Sequence, residues 1–148
     1  MTQAASSLVA LIDDDDDLRA AMAQTLTLAG YEVHPFSDGA TALAAIGATF
    51  PGIVISDVRM PHMSGIELFQ TLQQRDAELP VILVTGHGDV PMAVEALKAG
   101  AWDFLTKPFD PDALLASVAR AIDKRTLVLE NRRWQRECNQ LRLQQSGQ

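Results

Sequence analysis

The sequence predicts an α/β domain, a doubly wound five-stranded parallel sheet in the order 2-1-3-4-5, followed by an extended C-terminal helix. Two observations carry this prediction. Short apolar runs of strand length alternate with stretches of helix length five times along the chain. Units of this kind imply right-handed crossovers and a sheet covered on both faces. Four of the runs also lead into a residue that chemistry can use. Leu8–Ile12 runs into Asp13 and Asp14, Ile53–Ile55 into Asp57, Val81–Val84 into Thr85, and Phe104–Leu105, through Thr106, into Lys107. Open parallel sheets bind ligands beyond the carboxyl ends of their strands. Three carboxylates, a hydroxyl and an ammonium are therefore expected on one edge.

Leu8–Ile12 has the apolar character of a buried parallel strand. Asp16 or Asp17 is expected to cap the next helix, which carries Leu18, Ala21, Met22, Thr25, Leu26 and Ala29 at helical spacing and stops at Gly30. Tyr31–Phe36 alternates as strand two. Gly39–Gly47 is an alanine-rich helix with Leu43 and Ile46 on one side. After strand three, Gly65–Arg75 places Ile66, Leu68, Phe69 and Leu72 largely on one face. After strand four, Asp89–Gly100 carries Val90, Ala93, Val94 and Leu97, and Asp103–Thr106 is strand five. Periodicity leaves the strand order open. The order 2-1-3-4-5 is chosen because it sets strands one and three side by side and brings Asp13, Asp14 and Asp57 together.

From Pro111, which suits a first helical turn behind an Asp110 cap, the pattern is helical well past what one small domain needs. Leu114, Leu115, Val118, Ala121 and Ile122 are expected on the sheet. Beyond them Leu127, Trp134 and Leu141 recur every seven residues, with Asn131 and Cys138 at the other core spacing. This reads as a short coiled coil with Asn131 setting the register. The alternative is one amphipathic helix packed back on its own domain. Residues 1–123 and 124–148 are taken as domain and linker helix, and 144–148 as a frayed end or the start of a flexible linker.

The 148 residues suit one domain with an extension. No apolar stretch approaches the roughly 18 residues that span a bilayer, and Met1–Ser7 is small and polar, so a cytoplasmic protein without a membrane partner is expected. The lone Cys138 rules out an internal disulfide. Residues 1–119 set five bases against sixteen acids, net −11, whereas 120–148 carry +4. The acidic body argues against direct nucleic-acid binding, and the interspersed charges of the tail suit a solvated helix.

Adjacent carboxylates repel and call for a cation. Oxygen ligands on a partly open site favour Mg²⁺, which keeps waters and completes its shell with phosphate. Asp14 and Asp57 are the direct ligands on this reading, Asp13 acts through a water, and the Arg59 backbone carbonyl supplies a further oxygen. Asp15, Asp16 and Asp17 are read as capping and dipole compensation. Asp57 stands before a loop, VRMPHMSG, whose proline and glycine hold it at the strand tip. A carboxylate there can attack phosphorus and form an acyl phosphate. Lys107, in a Lys-Pro-Phe turn open to a cis peptide, with a trans turn bearing a surface lysine as the alternative, is the fixed cation for one phosphate oxygen, and Thr85 is the hydroxyl donor to another. His34 and His62 are read as surface or structural, Trp102 and Trp134 as packing residues with Trp134 also an interface anchor, and Cys138 as a small hydrophobe.

On these residues, Asp13-Asp14, Asp57 in DVRMPHMSG, Thr85 in VTGHGD and Lys107 in KPF, the sequence resembles the receiver domain of two-component response regulators over residues 8 to about 123. The resemblance implies a flavodoxin-like fold and Mg²⁺-dependent transfer to Asp57 from a phosphohistidine on a sensor histidine kinase. It also implies a switch in which Thr85 follows the phosphoryl group and Phe104 rotates inward; a Phe here, in place of the common Tyr, makes that switch one of packing alone. Arg59 and His87, two residues beyond Asp57 and Thr85, take positions that flank the water path and tune dephosphorylation in such domains. More narrowly, DVRMPHMSGIELF, the segment from Leu79 to Phe109 and LVLENRR resemble the NtrC class, and within it regulators of C4-dicarboxylate transport. Such proteins continue into an AAA+ ATPase that activates sigma-54 polymerase and a DNA-binding helix-turn-helix. No GxxxxGK[ST] loop is present, so the chain is expected to be a fragment ending in the linker helix, with the AAA+ domain in cis. A homodimer through residues 112–145 that rearranges on phosphorylation is the expected output. The alternatives are a stand-alone receiver and a haloacid-dehalogenase-like phosphatase. The phosphatase typically needs a second Asp where Arg59 stands, and an inert scaffold is disfavoured because all five key positions are filled.

Overall fold

Five parallel strands lie in the order β2-β1-β3-β4-β5 in the structure, a computed structural model that describes residues 7–146. They are β1 (Leu8–Ile12), β2 (Glu32–Phe36), β3 (Ile53–Asp57), β4 (Val81–Thr85) and β5 (Asp103–Thr106). The helices are α1 (Asp16–Leu28), α2 (Gly39–Ala45), α3 (Gly65–Arg75), α4 (Val90–Lys98) and α5 (Pro111–Ser146). Order and class are those the sequence predicts.

Successive strand residues point to opposite faces, and the core divides accordingly. Ala10, Ile12, Val54 and Leu83 join Leu68 and Leu72 of α3 and Ala96 of α4. Val9, Leu11, Ile53, Ile55, Ile82 and Val84 join Met22 and Leu26 of α1 and Leu114 and Val118 of α5. Burying one such Leu or Ile contributes about 1.5–3 kcal/mol, so both layers are needed to hold the sheet edge in place.

Several local expectations shift. Asp15, in extended conformation, caps α1 by accepting from the amides of Asp17 and Leu18, so the helix begins one residue before either expected cap allows. Helix α4 starts at Val90, because His87–Asp89 forms a 3-10 turn and the Asp89 carboxylate is engaged elsewhere. It buries Ala93 and Ala96, while Val94, expected inward, is exposed. The Lys107–Pro108 peptide is cis, and Gly30 ends α1 with φ 101°.

Helix α5 is continuous to Ser146; residues 147 and 148 of the expected frayed end lie outside the described residues. Its contacts with the body run on past Asp123. Arg125 is fully buried and donates through Nε and Nη2 to the Phe50 carbonyl and through Nη2 to Asp76 Oδ2, at 2.8 Å. Two turns on, Arg132 donates to both Asp76 oxygens and to Glu78. Leu127 is turned about 200° from Arg125 around the axis, and with Trp134 and Leu141 it forms the opposite stripe, 64%, 66% and 58% exposed. Trp134 is thus no packing residue within this chain, and Cys138 is exposed too.

Candidate functional site

The register of the central strands assembles the site. In β1 and β3, Val9 pairs with Ile53 and Ile12 with Ser56, and one step further sets Asp13 level with Asp57. In β3 and β4, Asp57 pairs with Val84, and in β4 and β5, Thr85 with Thr106. The Lys107 amide then donates to the Thr85 carbonyl at 2.8 Å, tying the lysine to the same edge.

Asp13, Asp14 and Asp57 come together there, each offering a carboxylate oxygen within 4.8 Å of the others. Asp13 and Asp57 are buried and Asp14 is exposed. Lys107 Nζ stands 3.3 Å from Asp57 Oδ1. Burial raises the Asp57 carboxyl above the ordinary range, against the pull of the Lys107 ammonium. Burial likewise raises Asp13; the Asp15 amide, 2.9 Å from its Oδ1, opposes this, and the charge of Asp57 adds to it. Three carboxylates against one ammonium leave an excess of negative charge on hard oxygen donors. That donor set fits Mg²⁺.

The loop after Asp57 is pinned from both sides. The Val58 amide donates to the Val84 carbonyl, and the Gly65 amide to the Val58 carbonyl at 2.8 Å. A Cβ on Gly65 would run into the Asp57 carbonyl oxygen, so only glycine lets α3 begin this close to β3. Ser64 and Glu67 complete a capping box at that start. Within the loop, His62 takes a left-handed conformation, φ 69°.

The remaining expected site residues lie around this centre. Thr85 is buried, and its hydroxyl donates to the Gly86 carbonyl rather than toward Asp57. Phe104 is half-buried against the α2–α4 side of the core. His87 is exposed in the 3-10 turn. The Arg59 guanidinium is 80% exposed and forked onto Asp89, with Nε and Nη2 at 2.6 and 2.9 Å from the two oxygens.

Two contributors escape a reading of the sequence. Asp89 looks like a helix cap and is instead the partner of Arg59. Arg19 donates through Nη1 to the Asp13 carbonyl and through Nη2 to Asp16 Oδ1, both at 2.7 Å. The signal for Arg19 was present: it is the sole Lys or Arg before Arg59 and follows five consecutive aspartates.

Residues 9–119 match the response regulator receiver domain family. The chain belongs to that family. It is 57% identical over 128 residues to the C4-dicarboxylate transport transcriptional regulatory protein DctD of Rhizobium meliloti, and 56% identical over 128 residues to DctD of Pseudomonas aeruginosa. Each alignment covers 86% of this chain, which spans 28% of the relative's length. Among solved structures, the response regulator StyR superposes with a TM-score of 0.84 at 37% identity, over 90% of this chain and 68% of that one. In this receiver domain, Asp57 at the tip of the central strand is the carboxylate that Lys107 contacts directly.

Proposed function

We propose that this receiver domain is a phosphoryl-accepting switch of a cytoplasmic two-component system, with Asp57 as acceptor and a phosphohistidine on a sensor histidine kinase as donor. The observation that carries the proposal is the Asp57 carboxylate on a sheet edge between Lys107 and the Asp13–Asp14 pair. An Asp57 oxygen attacks phosphorus, the O–P bond forms as the N–P bond breaks, and the leaving imidazole nitrogen takes up a proton. Lys107 holds one phosphoryl oxygen. Thr85 turns its hydroxyl from the Gly86 carbonyl to another, and Phe104 closes into the space beside it. Asp14, Asp57 and the Arg59 carbonyl would hold Mg²⁺, with Asp13 acting through water, and the bound ion would supply neutralisation of charge on the transferring group. Arg59 and His87 bound the water path and set the lifetime of the acyl phosphate.

The output proposed for the parent protein is control of a sigma-54-dependent AAA+ ATPase in cis, through a homodimer of linker helices over residues 112–145. The similarity to DctD supports it, as does the exposed stripe of Leu127, Asn131, Trp134, Cys138 and Leu141 on a helix whose other face is fixed to the domain. The phosphatase alternative finds no support in the site, where the place of its second Asp is taken by Arg59, forked onto Asp89.

Thermal unfolding with Mg²⁺ and beryllofluoride tests the acceptor assignment. A ligand bound only to the folded state raises the melting temperature. The rise is expected in the wild type and not in Asp57→Asn; equal rises in both proteins refute Asp57 as acceptor.

A further inference from the structure

We propose that Arg19 is a positioning residue for the divalent-cation site, acting through the Asp13–Asp14 peptide rather than through its charge. This rests on the reading of the acidic edge as an Mg²⁺ site.

Asp14 is the exposed member of the three carboxylates, and among the described residues its side chain has no hydrogen-bond partner. No side-chain hydrogen bond fixes its aim, so the placement of its backbone is what brings it to the site. That backbone is anchored at Asp13. The Asp13 amide donates to the Phe36 carbonyl at 3.1 Å, and the Asp13 carboxylate accepts from the Asp15 amide. The Asp13 carbonyl oxygen belongs to the planar peptide that leads into the Asp14 Cα, so fixing this oxygen fixes the plane from which Asp14 departs. Arg19 Nη1 holds it, while Nη2 is held in turn by Asp16 in the first turn of α1. The guanidinium fork is planar and its two nitrogens cannot turn independently, so the loop carbonyl and the helix start are locked together; a single ammonium does not reproduce this.

Charge and position make opposite predictions. A cation beside a cation site repels the metal, so if Arg19 acted by charge, its removal would tighten Mg²⁺ binding. If it acts by position, its removal lets Asp14 wander and weakens binding. Partners one shell behind a metal ligand typically change affinity about 10–100-fold when mutated.

The test is calorimetric titration of metal-free protein with MgCl₂, comparing wild type, Arg19→Ala and Arg19→Lys, with a metal-free melt of each. The expected result is an Mg²⁺ Kd about tenfold higher in both variants, with the lysine failing to rescue although it restores the charge. A Kd unchanged or lowered in Arg19→Ala overturns the positioning role, as does full rescue by lysine. Should the alanine variant fail to fold, Arg19→Lys decides alone: a wild-type Kd overturns the proposal and a raised Kd supports it. A wild-type protein that takes up no Mg²⁺ overturns the site reading itself, and the role of Arg19 with it.

Discussion

Arg125 of α5 and Asp76 in the α3–β4 loop form a buried ion pair, Nη2 to Oδ2 at 2.8 Å, at the end of the sheet away from Asp57. Arg125 also grips the Phe50 carbonyl, and its Nη1 is buried with no partner among the described residues. A buried charge left alone is expensive, so breaking such a pair from one side typically costs about 3–5 kcal/mol. Asp76→Ala is expected to lose about that much, measured by urea unfolding. Arg132→Ala, which leaves Arg125 in place, should lose much less.

The same carboxylate sets a pH dependence. Burial alone would raise Asp76, and the hydrogen bonds from Arg132, Arg125 and the Glu78 amide outweigh it and hold it well below the usual carboxylate range. A carboxyl depressed in the folded state contributes stability above its unfolded pKa, about 4, and loses it as pH falls toward the folded value. The stability gap between wild type and Asp76→Asn should therefore be full at pH 7 and narrow steadily below about pH 4. A gap independent of pH would show that packing, not charge, holds the loop to the helix.

These contacts decide where the chain can be cut. A protein ending at Asp123 lacks Arg125 and Arg132 and strands the Asp76 carboxylate, so it should melt about 10 °C below one ending at Arg133. The longer truncation keeps the clamp and removes Trp134, Cys138 and Leu141. Light scattering should find it monomeric and the full chain dimeric. Equal masses would remove the linker helix from the dimer proposal.

Lys107 and Arg19 are expected to part company. Lys107 lies on Asp57 as a charge, so Lys107→Gln should bind Mg²⁺ more tightly while accepting phosphoryl about a hundredfold more slowly, the size expected for losing a preorganised charge partner. Calorimetry and phosphorylation rates from acetyl phosphate check the two halves separately.

Much of this was legible because strand ends are legible. Apolar runs that stop at Asp13, Asp57 and Thr85 locate both the sheet and its working edge, and the chemistry of the acids selects the strand order. What the sequence hides is pairing across distance. Arg59 with Asp89, and Arg125 with Asp76, are 30 and 49 residues apart, and no periodicity links them. Helix α4 misled for a related reason. Its buried face is carried by Ala93 and Ala96, and the larger Val94, next to Ala93 in sequence, is left outside. The heptad stripe was visible, but its opposite face was not, because a buried arginine looks in sequence like a solvated one.

Every step of the proposed switch depends on Asp57 accepting the phosphoryl group. Intact-mass spectrometry after incubation with acetyl phosphate and Mg²⁺, followed by peptide mapping, tests it most directly. A gain of one phosphoryl group located on Asp57 is expected, lost in Asp57→Asn and when Mg²⁺ is chelated. A gain that persists in Asp57→Asn, or no gain in the wild type, would contradict it.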